Sequence, residues 1–143
     1  MPAERLGHPP PIVQAMILAD QVHLDPSTGK KYILGVHNGI LSAVFPAKHA
    51  FHMYMAITGG HGRNMLRIRI IDVDDAIGCV TESAFPFDMP DPNRVYETTF
   101  NTVAVFPAPG DYRVQLFSGD DLLRELRLRV ALRQANTPPS EES

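Results

Sequence analysis

The chain has 143 residues, 44% of them apolar, and 13 basic against 16 acidic side chains for a net charge of -3. That length fits one domain with a sizeable core, since a domain near this size buries roughly two-thirds or more of its unfolded surface. The acidic balance argues against a nucleic-acid binder, which normally shows a basic excess. No run approaches the ~18 apolar residues that span a bilayer as a helix. Met1 to Pro11 lacks the apolar stretch of a signal peptide. The single cysteine, Cys79, allows no internal disulfide, and a cytoplasmic protein is the expectation. Cys79 lies in an apolar run and reads as a small buried core residue.

Residues 1–11 carry four prolines and no periodic pattern, and read as a flexible arm. Residues 12–19, IVQAMILA, are too short for a typical helix and form a first strand. Asp25 to Lys30 is a dense turn. Its Thr28-Gly29-Lys30 lacks the spacing of a phosphate loop, and no helix follows. Lys31 to Val36 is a second strand. Asn38-Gly39 is the dipeptide of a tight hairpin, with Ile40 to Phe45 returning. The alternative is one long strand over 31–45 with a bulge at Asn38-Gly39. Phe51 to Thr58 is a strand closed by the glycine-rich loop 59–62. Arg63 to Val73 returns, with Leu66, Ile68 and Ile70 on one face and Arg67 and Arg69 on the other. Asp72 to Gly78 turns into a short strand from Cys79 to Phe85. The prolines of Pro86 to Pro92 predict a loop. Val95 to Phe106 is a strand rich in threonine and valine. Pro109 to Val130 is a hairpin, its arms alternating Tyr112, Val114, Leu116 and Leu126, Leu128, Val130 with polar residues. Its turn is Ser118-Gly119-Asp120-Asp121. Residues 134–143 read as a disordered tail, leaving 12–133 as the folded domain.

About eight short strands without a helix predict an all-β protein, an antiparallel β-sandwich of immunoglobulin-like or C2-like type. The apolar faces of the two sheets then cover each other. Tyr112, just after Pro109-Gly110-Asp111, resembles the tyrosine at one corner of immunoglobulin sandwiches. The order of features from Ala15 to Val130 also resembles an uncharacterised bacterial β-sandwich family, a domain of unknown function. The matching pieces are a first strand ending in Ala19-Asp20, the Thr28-Gly29-Lys30 turn before Ile33-Leu34-Gly35-Val36, a middle strand closed by glycines, and the terminal hairpin from Pro109-Gly110-Asp111-Tyr112 to Leu126, Leu128 and Val130. The resemblance implies a small bacterial sandwich and supplies no site residues.

The chemistry-bearing residues form four groups. His49, His52 and His61 are the histidines from which a metal-dependent hydrolase could be built, although His49 and His52, three apart on a strand, face opposite sides. Asp72, Asp74 and Asp75 in one turn, with Asp120 and Asp121 in another, are calcium candidates if those loops converge. Arg67, Arg69, Arg113, Arg127 and Arg129 share outward parity and would make a basic face. Phe87 and Met89, stranded among prolines, are candidates for contact with a partner. No GxSxG or HExxH motif is present. The expectation is a non-enzymatic protein-binding or assembly module without cofactor, taking a protein partner or self-associating as a homo-oligomer, with strand addition at a free sheet edge as one mode. The alternative is a calcium- or anion-dependent C2-like surface binder.

Overall fold

The computed structural model describes residues 8–74 and 78–134. The strands are β1 (Ile12–Leu24), β2 (Lys31–Val36), β3 (Gly39–Ser42), β4 (Ala47–Thr58), β5 (Gly62–Asp72), β6 (Cys79–Met89), β7 (Tyr96–Phe106), β8 (Gly110–Ser118) and β9 (Asp121–Leu132). They form a four-stranded sheet, β2-β1-β4-β7, and a five-stranded sheet, β3-β9-β8-β5-β6. The protein is therefore an all-β sandwich. Its pairing follows the immunoglobulin plan: β1-β4-β7 matches strands A-B-E, and β9-β8-β5-β6 matches G-F-C-C′ of a variable-type domain. Among the described residues, no helix is long and apolar enough to cross a membrane.

Alternation makes the core. Phe51, Met53, Met55 and Ile57 of β4 face Leu66, Ile68 and Ile70 of β5, with Tyr112, Val114 and Leu116 of β8 and Leu128 and Val130 of β9; none is more than 2% exposed. Tyr112 carries the one polar group among these large side chains. Its hydroxyl donates to the Ala108 carbonyl at 2.6 Å, the corner bond of an immunoglobulin strand F. Gly119, with φ +58°, turns β8 into β9.

One part departs from the simple sandwich. β4 pairs with β7 from Ala47 to Ile57, but with β1 only from His52 onward. Past Ala19, β1 parts from β4 and continues with β2 alone, Gln21↔Leu34 through Leu24↔Lys31. This far half of the hairpin leans across the outer face of its own sheet. Lys31 of β2 reaches Glu97 on β7, the opposite edge, at 3.0 Å. Tyr54 of β4 donates its hydroxyl to the same carboxylate. Gly35 sits at the bend with φ +73°, and a Cβ there would lie 2.4 Å from Asp20 Oδ2, so no other residue fits without displacing Asp20.

Several expectations are corrected. Asn38-Gly39 makes neither a hairpin nor a bulge within one strand. The chain crosses there between sheets, and β3 runs parallel to β9 with Gly39↔Arg129. Gly39 lacks the positive φ that a type I′ turn demands. β1 runs five residues beyond Ala19, because β2 supplies a pairing partner after β4 is lost. Pro86 lies within β6, opposite Met65, instead of in a loop. β6 is an edge strand, where a missing N–H costs no ladder bond. Cys79 is exposed at the start of that edge strand. The predicted arm and tail fall mostly on 1–7 and 135–143, outside the described residues.

Candidate functional site

The notch where β1 parts from β4 holds the one group of three metal-ligand side chains found among the described residues: Asp20, His37 and His49. Strand parity explains the meeting. Asp20 follows Leu18 on the inward face of β1, and His49 precedes Phe51 on the inward face of β4. The His37 N–H donates to the Leu18 carbonyl at 3.1 Å, which fixes the crossover residue beside both. One ligand atom from each side chain lies within 4.8 Å of the other two. Asp20 Oδ1 stands 3.7 Å from His37 Nε2, and the His37 and His49 rings meet edge-on with centroids 5.9 Å apart.

The site is wet on one side and closed on the other. The Asp20 side chain is 65% exposed and that of His37 only 19%. Both ring nitrogens of His37, and Nε2 of His49, are shut off from water without a hydrogen-bond partner. A buried polar group left unsatisfied costs about 1–3 kcal/mol. Burial holds the His49 imidazole below the usual histidine range; the charge of His37 pushes the same way and Asp20 opposes both. His49 therefore favours its neutral, metal-ligating form.

The sequence pointed to His49 but gave it other companions. His52 takes the outward parity of its strand and pairs across to Asn101. His61 lies in the loop after β4, twelve residues past His49, and stacks on His8 with ring centroids 4.1 Å apart. Asp20 and His37 are the residues sequence reasoning missed. Their meeting requires knowing that β1 lies between β2 and β4, which local patterns do not reveal.

The other candidates disperse. Asp72 pairs with Tyr112 at one end of β8, and Asp121 with Ser118 at the other, so the two acidic turns stand about 20 Å apart along the strand. The convergence that calcium would need is absent. Asp72 is buried and accepts from the Asp74 N–H at 3.3 Å, a turn role; Asp120 sits in the exposed β8–β9 turn. Asp75 lies outside the described residues. Arg67, Arg69, Arg113, Arg127 and Arg129 do share the outer face of the five-stranded sheet, but much of their charge is matched. Glu82 pairs with Arg67 at 2.9 Å and Arg69 at 3.9 Å, and Asp111 with Arg129 at 3.7 Å. Arg67 also lies over the Phe117 ring. Met89 is fully buried against Gly60, where a Cβ would come within 2.6 Å of it, so it cannot offer a partner surface. Phe87 is half-buried against the core, its ring edge-on to Tyr96.

The exposed apolar surface lies elsewhere. Tyr32, Leu34 and Val36 alternate along β2 and are 52%, 48% and 64% exposed. β2 is the edge of its sheet, and β3, the next strand in sequence, is the edge of the other sheet on the same side. At the crossover that joins them, against β3 and β9, lies an open groove of about 710 Å³, lined by Val36, Asn38, Ile40, Leu41, Arg129 and Ala131 among others.

Fold and corner bond define an immunoglobulin-like β-sandwich with a histidine-rich notch and an apolar edge. The chain belongs to the family of unknown function DUF6941, whose pattern matches residues 14–131. No curated protein matches it by sequence. Solved structures give distant likenesses. A β-glucosidase from Listeria innocua, solved with laminaribiose, is 12% identical over 82% of this chain, with a TM-score of 0.47; the chain spans only 16% of that protein's length. An immunoglobulin-like protein from Pseudomonas aeruginosa is 16% identical over 87% of this chain and 99% of its own, with a TM-score of 0.39. The CARDB domain of a Pyrococcus furiosus protein, in complex with di-metal ions, is 10% identical over 83% of this chain and 94% of its own, with a TM-score of 0.41. No activity or ligand is carried over from them.

Proposed function

We propose that the protein is a non-catalytic binding module whose β2 edge accepts an added strand, and that the strand comes from a second copy of the chain. The observation that carries this reading is the stripe Tyr32, Leu34 and Val36, about half or more exposed on an unpaired sheet edge. Soluble proteins blunt such edges with charge, proline or cover, because an open apolar edge templates pairing with another chain. Within β2 the one charged residue, Lys31, is turned away to Glu97. Antiparallel pairing of one β2 with another is isologous, so each stripe meets its equivalent and the contact closes at two copies. Main-chain bonds supply affinity, and the alternating side chains set the register.

Light scattering during size-exclusion chromatography tests it. The wild type is expected to run as a dimer, and the Leu34→Lys, Val36→Lys double variant as a folded monomer whose melting temperature matches that of wild type diluted to monomer. A wild type that stays monomeric as concentration rises, or a double variant that still dimerises, overturns the reading.

A further inference from the structure

We propose that Asp20, His37 and His49 form a binding site for one zinc-like divalent transition-metal ion, with the remaining coordination position left to water. The donor set selects the ion class. Two imidazoles and one carboxylate suit zinc, nickel, cobalt or copper, whereas calcium and magnesium want oxygen alone. Three protein ligands with an open position are a common zinc arrangement.

The geometry is near what an ion needs. Ligand atoms about a tetrahedral ion at bonds of roughly 2.1 Å stand about 3.4 Å from one another. Here the three atoms already lie within 4.8 Å of one another, so binding an ion draws them only slightly closer. An independent observation points to a ligand: three imidazole nitrogens are closed off from water and have no hydrogen-bond partner. One metal ion satisfies one nitrogen of each ring directly. Asp20 keeps its exposed side, which leaves an entry path.

The placement gives the ion a job. Its ligands come from β1, from the crossover after β2 and from β4. Those segments meet where β1 leaves β4 and the β1–β2 hairpin begins to lean. An ion there ties the base of the hairpin to the sandwich and fixes the angle at which β2 is presented. Binding to the folded state alone then also raises stability.

The test uses tag-free full-length protein carrying Cys79→Ser, stripped with a chelator. It is titrated with zinc, nickel and calcium chlorides by calorimetry and thermal melting, and with cobalt by visible absorption. The expected result is one zinc per chain, a higher melting temperature, a cobalt spectrum of low coordination number and no response to calcium. His37→Ala and His49→Ala should each weaken zinc binding by at least about 10–100-fold, the loss usual for groups that merely support a ligand. Asp20→Asn, which keeps the side chain's size, should weaken it in a chain that still folds. His52→Ala and His61→Ala should leave it unchanged. No zinc uptake at millimolar ion overturns the proposal. So does uptake that survives His37→Ala and His49→Ala but falls with His52→Ala or His61→Ala.

Discussion

Strands β8 and β2 both carry large apolar residues at every second position, and these meet opposite fates. In β8, Tyr112, Val114 and Leu116 alternate with polar residues, and all three are fully buried. In β2, Tyr32, Leu34 and Val36 show the same spacing, and all three stay about half or more exposed. The difference is cover. β8 lies between β9 and β5 with β4 facing it, whereas β2 ends its sheet and leans away from the core. Alternation shows that an apolar face exists; topology decides whether the same chain covers it.

The largest expected effect sharpens that contrast. Leu116→Ala should cost about 2–5 kcal/mol of stability in urea unfolding, the range for a buried leucine that leaves a cavity. Leu34→Ala, measured on the monomer, should cost no more than about 0.5 kcal/mol, as for an exposed position. Equal losses would break the comparison. Next is the bend itself. Gly35→Ala forces a left-handed backbone on a residue with a Cβ and drives that Cβ into Asp20, so a loss of at least about 1–2 kcal/mol is expected in the same assay. An unchanged midpoint would mean that the hairpin bends elsewhere.

The corner bond comes third. Tyr112→Phe removes the donor to Ala108 while keeping the ring against Phe106, and should cost about 0.5–1.5 kcal/mol. The smallest effect concerns the strap that holds the hairpin over the sheet. Hydrogen bonds from Tyr54 and then Lys31 hold the Glu97 carboxyl below its ordinary value of 4.5. A carboxylate with a lowered folded-state pKa contributes stability above its unfolded pKa, and that stability is lost as pH falls through the folded value. Glu97→Gln should therefore lower the melting temperature by about 1–3 °C at neutral pH, an exposed ion pair being worth little. The gap from wild type should close below pH 4.5. A gap that persists in acid would remove Glu97 from the strap. The same contact, with burial as the larger cause, pushes the Tyr54 hydroxyl up to about 12. In an alkaline absorbance titration, Tyr54→Phe should remove the last tyrosine step.

Much of the sandwich was legible because its patterns are local. Leu66, Ile68 and Ile70 against Arg67 and Arg69 fixed the faces of β5, and Gly119 marked the last turn. The crossover at Asn38-Gly39 was not legible, because that dipeptide's turn preference yielded to the pairing of β3 with β9. Pro86 misled in the same way: an edge strand tolerates what a central one rejects. The histidine site was the least readable part. Asp20, His37 and His49 are far apart in sequence and meet through the pairing of β1 with two neighbours. His49 and His52, close in sequence, diverge by parity.

The central claim is that the free edge of β2 pairs with another copy. Amide hydrogen exchange at low and high protein concentration tests it directly. The account predicts that protection rises with concentration at Ile33 to Val36 and stays constant along β7, the other edge of the same sheet. Exchange at β2 that ignores concentration, or protection that grows along β7 instead, would contradict it.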